Sequence, residues 1–181
     1  MNGQPKKRVA VLISGRGSNM KTLAEAAGTA RSSYEIVGVI ADVADAAGLN
    51  HAAALDIEAK AIPRADHASK AAHENAIDAQ LKSWNVEIVA LAGYMRLLSA
   101  EFVGKWAGRM INIHPSLLPL FKGLDTHQRA IDAGMRVHGC TVHFVTAEMD
   151  GGPIIAQAAI PVLPDDSEES LTRRVLAAEH Q

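Results

Sequence analysis

The sequence predicts an α/β fold, with a doubly wound, mostly parallel sheet and helices on both of its faces. The first observation behind this prediction is a set of short, continuous apolar runs, such as residues 8–13 (RVAVLI) and 87–91 (EIVAL), which are typical of strands buried on both sides. The second is that segments with helical spacing of apolar residues separate these runs. Strands that alternate with helices along a chain form parallel sheets that the helices cover.

Each predicted element has its own local signal. Apolar or β-branched runs predict strands at residues 8–13, 34–41, 59–62, 87–91, 110–114, 140–144 and 154–160. Apolar residues at helical spacing predict helices at residues 20–27, 45–55, 69–84 and 99–107, before residues 133–134, and from residue 168 to the chain end. Ser99 and Ser167 are expected N-caps, and Gly28 and Gly108 are expected to follow helix ends.

Composition narrows the class of protein. The 181 residues fit one domain spanning residues 1–181, and 48% of them are hydrophobic and 21% charged, as is usual for a globular protein. The formal charge of −2 and the lack of a basic stripe disfavour nucleic acid as a partner. No apolar run approaches the ~18 residues of a membrane span, and the polar stretch 1–7 does not resemble a signal peptide. With Cys140 as the single cysteine, we expect a cytoplasmic protein without an internal disulfide.

The most informative stretch is 110–119 (MINIHPSLLP), a buried strand followed by two prolines. Asn112 and His114 lie two residues apart in this strand, so both side chains leave from the same face. Pro115 favours an extended conformation for His114. An amide and an imidazole on one face can act together on a carbonyl group. The alternative is a core histidine at a strand end, with its hydrogen bonds satisfied internally.

Residues 14–19 (SGRGSN) form a glycine-rich turn between the first strand and the first helix. Such a unit presents backbone N–H groups and a helix N-terminus to an anion. The turn lacks the lysine of a P-loop, and Met20 replaces the third glycine of a dinucleotide fingerprint. We therefore expect a phosphate site for a ligand simpler than a dinucleotide, with Ser18 and Asn19 adding side-chain donors and capping the helix. A plain turn between strand and helix is the alternative.

Two further loops are candidate parts of a site. Residues 92–98 (AGYMRLL) follow the carboxyl end of a strand, where open α/β sheets bind ligands. They suit a flat heteroaromatic ligand, although a hydrophobic turn explains them equally well. In residues 146–153 (TAEMDGGP), Asp150 precedes two glycines. It is either a turn-forming aspartate or a carboxylate aimed at a site.

Metal binding and serine hydrolysis fit the sequence poorly. None of the eight histidines shows the spacing of a zinc helix, and His138 and His143 fall on opposite faces of a strand. We therefore expect no metal. Ser116 lies in a proline-flanked segment without a Gly-x-Ser-x-Gly elbow.

With metal binding and serine hydrolysis disfavoured, three candidate groups remain. They are the amide of Asn112, the imidazole of His114 and the carboxylate of Asp150. An amide N–H and an imidazolium can stabilise the oxyanion of a tetrahedral intermediate. A nearby carboxylate can orient the histidine and help to move the proton shed by an attacking amine. These groups predict acyl or formyl transfer to a phosphorylated amine.

Five segments occur in order along the chain: LISGRGSN, LAGYMRLLS, NIHPSLLP with KGLDTH, HGCTVHFV and DGGPII. In these segments, and over residues 9–181, the chain closely resembles the folate-dependent glycinamide ribonucleotide formyltransferases of purine biosynthesis. The resemblance implies a Rossmann-like fold and direct transfer of the formyl group of 10-formyltetrahydrofolate to the amine of glycinamide ribonucleotide. It implies small-molecule partners only, no metal, and a monomer or weak homodimer.

The resemblance also implies roles for individual residues. The catalytic residues are Asn112, His114 and Asp150, and the ribonucleotide with its phosphate is held by Gly17, Ser18, Asn19 and Glu179. The folate site comprises Lys70, Met95, Arg96, Leu97, Leu98, Asn112, Thr146, Ala147, Glu148, Met149 and Asp150. Lys70 stands where the family often has arginine, so the charge is kept without the bidentate fork.

Three alternatives stay open beside this interpretation. A formyltetrahydrofolate deformylase would use the same catalytic residues to admit water, but normally carries a regulatory domain before the first strand. Methionyl-tRNA formyltransferase shares HPSLLP but needs an RNA-binding domain. Family members also usually continue beyond Gln181, so we expect the usual C-terminal extension to be lacking and the helix to fray at Glu179. A catalytically impaired ligand-binding homologue is the third alternative.

Overall fold

The structure is a computed structural model that describes residues 5–181. Residues 1–4, part of the stretch 1–7 for which no signal peptide is expected, lie outside the described residues. The chain divides into two compact units, residues 1–110 and 111–181. Within residues 5–181, no helix combines the length and the apolar character needed to cross a bilayer.

In its described part, residues 5–110, the first unit carries four parallel strands with helices between them. The strands are β1 Lys7–Ile13, β2 Tyr34–Ala41, β3 Ala59–Ala61 and β4 Ile88–Leu91, in the order β3-β2-β1-β4. The helices are α1 Ser18–Ala27, α2 Ala47–Ala53, α3 Lys70–Ser83 and α4 Ala100–Lys105. A short 3-10 helix at Arg64–Asp66, which the sequence pattern did not indicate, follows β3.

Burial explains why these apolar runs form strands. Val11, Leu12 and Ile13 in β1 are fully buried, as are Val39 and Ile40 in β2. Removing each such side chain from water stabilises the folded state by about 1.5–3 kcal/mol. The parallel strands therefore lie at the centre of the first unit, and the loops that follow them carry the polar residues of interest.

The second unit carries three antiparallel strands and two helices. The strands are β5 Met110–His114, β6 Val137–Phe144 and β7 Ile154–Pro161, in the order β5-β6-β7. The helices are α5 Thr126–Asp132 and α6 Glu168–Glu179. Leu171 and Val175 of α6 pack with Cys140 and Val162 in the core of this unit.

The predicted elements all exist, and the differences lie at their ends. The helix expected at residues 45–55 is shorter, and β6 begins at Val137 rather than at residue 140. The sequence pattern did not indicate this earlier start, because the polar His138 and the following Gly139 interrupt the apolar run. Gly139 is needed there, since an added Cβ would lie 1.9 Å from the carbonyl oxygen of Ala158 on β7.

The glycine-rich turn packs closely against α2. The backbone N–H of Gly48 donates to the carbonyl oxygen of Gly15 at 3.0 Å. A Cβ on Gly48 would lie 2.3 Å from Cδ1 of Ile13 and 3.2 Å from Cα of Gly17. The position of the turn therefore depends on a helix residue without a side chain.

We predict that Gly48→Ala destabilises the protein by about 1–3 kcal/mol, because the new methyl group has no room. Urea denaturation measures this change. The matched control is Gly104→Ala in α4, where an added Cβ meets nothing within 4 Å. That control should be neutral or stabilising by about 0.5–1 kcal/mol, since it removes the flexibility of glycine from a helix. A Gly48→Ala variant as stable as the wild type would show that the turn and α2 do not pack this closely.

Candidate active site

His114 lies at the end of β5 with each ring nitrogen near an oxygen. Its Nε2 is 3.0 Å from the carbonyl oxygen of Phe121, and its Nδ1 is 3.5 Å from Oδ2 of Asp150. The residue is only 5% exposed. An imidazole that donates from Nε2 to Phe121 turns Nδ1 towards the carboxylate, and the imidazolium form can donate on both sides. The Nδ1 contact is long for a hydrogen bond, so this nitrogen can still interact with a substrate.

Asn112 is held by a histidine that the sequence analysis did not include in the site. Asn112 pairs in register with His143 of β6, and its Nδ2 is 3.2 Å from Nε2 of His143. The Nδ1 of His143 is 2.9 Å from the carbonyl oxygen of Phe144, which requires a proton on Nδ1. Burial lowers the pKa of His143. A neutral His143 therefore accepts from one N–H of Asn112 and leaves the other N–H for a ligand.

The turn around Asp150 places its carboxylate near His114 and His143. A turn-forming aspartate and a carboxylate directed at the candidate site are therefore compatible interpretations of this residue. The residue adopts φ +49°, and its Oδ2 accepts from the backbone N–H of Gly123 at 2.9 Å. Its Oδ1 is 3.8 Å from Nε2 of His143. Gly152 allows the turn to lie against β6, since a Cβ there would be 1.8 Å from the carbonyl oxygen of Phe144.

Residues 116–119 support His114 and do not supply a nucleophile. Ser116 is fully buried, and its hydroxyl donates to the carbonyl oxygen of Leu120 at 2.6 Å. Thr141 of β6 donates to the carbonyl oxygen of Ser116 at 2.7 Å and accepts from the N–H of Leu118 at 3.0 Å. The Leu118–Pro119 peptide bond is cis.

The glycine-rich turn opens α1, but its capping differs from the prediction. Gly17, at φ +71°, is the N-cap residue, and Ser18 is already the first residue of the helix. The expectation that Ser18 and Asn19 cap α1 is therefore wrong. A β-carbon is disfavoured at this left-handed N-cap position, so a glycine takes it. The first N–H groups of α1 are left unpaired within the helix, as at any helix N-terminus.

The loop after β4 contacts the glycine-rich turn. Ser14 donates its backbone N–H to the carbonyl oxygen of Gly93 at 3.1 Å, and its hydroxyl accepts from the N–H of Met95 at 2.8 Å. Met95 and Leu97 are 66% and 69% exposed. The glycine-rich turn, predicted to bind the ribonucleotide, and the loop after β4, predicted to bind folate, are thus neighbours in the first unit. The loop after β4 presents apolar side chains to solvent.

The other predicted site residues lie at the ends of helices or on loops. Lys70 is the first residue of α3, with Nζ 4.0 Å from Oε1 of Glu74. Glu148, in the loop before Asp150, pairs with Lys122 at 2.7 Å. Glu179 is the last residue of α6, so the helix extends to the residue where fraying was expected. The remaining predicted folate residues are Leu98 of the loop after β4, and Thr146, Ala147 and Met149 of the loop before Asp150.

Comparison with known proteins identifies the class. The formyl transferase family matches residues 7–181. The chain therefore belongs to the formyl transferase family.

Within this family the chain is similar to enzymes of purine biosynthesis. It is 43% identical to the phosphoribosylglycinamide formyltransferase of Haemophilus influenzae, over 97% of this chain and 82% of that protein. It is 49% identical over 98% of its length to the trifunctional purine biosynthetic protein adenosine-3 of Bos taurus, of which it spans only 18%. The crystal structure of phosphoribosylglycinamide formyltransferase from Brucella melitensis matches with a TM-score of 0.93 at 55% identity, over 97% of this chain and 90% of that one. This likeness confirms the predicted doubly wound, mostly parallel α/β class.

A second pair of histidines lies next to the site and predicts a pH-dependent stability. Nδ1 of His127 is 3.1 Å from Nε2 of His138. Burial, followed by the charge of His127, lowers the pKa of His138 to about 4, and burial also lowers the pKa of His127. In the unfolded chain, histidine has a pKa of about 6.5. The unfolded state therefore binds more protons between pH 6.5 and 4, and stability falls as the pH falls through this range.

We predict that the free energy of unfolding is about 2 kcal/mol lower at pH 5 than at pH 7 through His138. Urea denaturation at both pH values measures this difference. His138→Gln should lower stability at pH 7 and make the slope shallower by the part that His138 contributes, because glutamine does not titrate. Equal slopes in the wild type and in His138→Gln would contradict the prediction.

Proposed function

We propose that this protein transfers the formyl group of 10-formyltetrahydrofolate to the amine of glycinamide ribonucleotide, in de novo purine biosynthesis. The observation that carries the proposal is the position of His114 between Phe121 and Asp150, with Asn112 on the same strand. The similarity to phosphoribosylglycinamide formyltransferases supports the choice of substrates.

In the proposed reaction, the substrate amine attacks the formyl carbon directly. The carbonyl oxygen gains negative charge as the tetrahedral intermediate forms. The free N–H of Asn112 and the Nδ1–H of protonated His114 stabilise this oxyanion, in a site where burial strengthens both interactions. The bond between the formyl carbon and the folate nitrogen then breaks, and no covalent enzyme intermediate forms.

Proton movement is assigned to Asp150. The attacking amine loses a proton and the departing folate nitrogen gains one, so the net reaction needs no external acid or base. The carboxylate of Asp150, 3.5 Å from Nδ1, supports the protonated His114 through its charge, leaves the Nδ1–H to the oxyanion, and relays the proton through a water molecule. Its hydrogen bond from Gly123 fixes one carboxylate oxygen while the other stays available.

The binding roles complete the proposal. Gly17, Ser18 and Asn19 bind the ribonucleotide phosphate at the start of α1, with Glu179 contacting the same substrate. The folate site comprises Lys70, Met95, Arg96, Leu97, Leu98, Asn112 and residues 146–150. Holding both substrates in place supplies much of the rate acceleration. We further propose that the chain acts as one formyltransferase domain, in the cytoplasm, without a metal, as a monomer or weak homodimer.

We predict that purified protein releases tetrahydrofolate from 10-formyltetrahydrofolate only when glycinamide ribonucleotide is present. A spectrophotometric assay of tetrahydrofolate release, run with and without the ribonucleotide, measures this dependence. The reason is that the proposed site supplies orientation and electrostatic stabilisation but takes its nucleophile from the substrate.

The same assay separates the alternatives. Equal release with and without the ribonucleotide would identify a deformylase-like hydrolase. No release under either condition, together with retained binding of both substrates, would identify a catalytically impaired homologue.

A further inference from the structure

The buried carboxylate of Asp42 forms an ion pair with the half-exposed Arg96 through a single hydrogen bond. Asp42 follows β2 directly and is 3% exposed. Its Oδ2 accepts from Nε of Arg96 at 2.5 Å. Its Oδ1 is buried and has no hydrogen-bond partner within residues 5–181. The carboxylate therefore holds the arginine at one point and does not occupy two of its donors.

The rest of the Arg96 guanidinium is free to meet a ligand. In the part of the chain that the structure describes, Nε is its only hydrogen-bonded atom, and the side chain is 49% exposed. The Nη1 and Nη2 groups form a planar fork that matches both oxygens of a carboxylate. The exposed side chains of Met95 and Leu97 flank Arg96 in the sequence. This combination suits a ligand that carries a carboxylate next to an apolar, planar body.

Within residues 5–181, the side chain of Asp42 makes no hydrogen bond other than the one from Arg96. The nearby Tyr94 hydroxyl is buried and is also without a hydrogen bond among residues 5–181. Burial, and next the charge of Asp42, raise the pKa of Tyr94, so the phenol stays neutral. A buried carboxylate with one partner holds that partner firmly, since losing the contact would leave the charge uncompensated. Arg96 is thereby ordered before a ligand arrives, which reduces the entropy cost of binding.

We propose that Asp42 is a positioning residue that fixes Arg96 through Nε, so that the two Nη groups bind the glutamate carboxylate of the folate substrate. This inference rests on the proposed function, which places Arg96 in the folate site. What it adds is the role of Asp42, a residue outside the predicted site that acts on the ligand only through Arg96.

The experiment compares the affinity for tetrahydrofolate with that for tetrahydropteroate, which lacks the glutamate. Isothermal titration calorimetry on the full chain gives both dissociation constants for each variant. The wild type should prefer tetrahydrofolate by about 10-fold or more, as expected for a charge-assisted, bidentate pair. Arg96→Ala and Asp42→Ala should both reduce this preference to within about 3-fold of unity. The double variant should be no worse than Arg96→Ala, because the two residues act as one unit.

A matched control is available in the same unit. Asp78 is also a buried aspartate with an exposed cation, since its carboxylate accepts from Lys82 at 2.6 Å and from the indole of Trp106 at 3.0 Å. Asp78→Asn should keep the wild-type preference for tetrahydrofolate. Asp42→Asn, which keeps an oxygen acceptor for Nε, should give an intermediate preference and serves where Asp42→Ala fails to fold.

The outcomes distinguish this inference from the proposed function. A wild-type preference that survives in both Asp42 variants would overturn the positioning role and leave the function intact. Equal wild-type affinity for the two ligands would overturn the assignment of Arg96 to the glutamate. A wild type that binds neither ligand would overturn the proposed function and this inference together.

Discussion

The position of the His114 ring is the constraint on which the candidate site depends. Two oxygens fix it, the carbonyl oxygen of Phe121 on Nε2 and the carboxylate of Asp150 near Nδ1. Phe121 follows His114 by seven residues, whereas Asp150 lies much further along the chain. The strand β5 supplies the histidine, the chain after the cis Leu118–Pro119 bond supplies the carbonyl group, and a turn beyond β6 supplies the carboxylate. The His114 ring keeps this position only if each of these three segments is itself held in place.

Hydrogen bonds within the second unit hold these segments in place. Thr141 of β6 bonds residues 116 and 118, and Gln157 of β7 donates to the carbonyl oxygen of Leu118 at 2.9 Å. The antiparallel pairing of β5, β6 and β7 thus fixes both Asn112, through His143, and the segment that follows His114. Buried neutral histidines suit this task, because a neutral imidazole can donate from one nitrogen and accept at the other.

Sequence reasoning found the strands, and it proposed most of the candidate site, because those signals are local. The apolar runs, the serine N-caps at Ser99 and Ser167, and the polar residues at the end of β5 each occupy a few adjacent positions. The role of His143 was missed, although its register opposite Asn112 follows from β5 and β6 being neighbours. The contact from Phe121 could not be predicted, since it is made by a backbone carbonyl group. The prediction that Ser18 and Asn19 cap α1 was wrong. Their residue types favour capping, but a residue type does not indicate at which residue the helix begins.

The Asp150→Asn variant tests whether the carboxylate of Asp150, acting with His114, is needed for the proposed formyl transfer. Asparagine tolerates the left-handed backbone of this position and can still accept from Gly123, so the fold should persist. Steady-state kinetics with both substrates, together with the dissociation constant for glycinamide ribonucleotide, give the decisive comparison. We expect kcat to fall by orders of magnitude while ribonucleotide binding is largely kept. Near-normal turnover in Asp150→Asn would contradict this expectation.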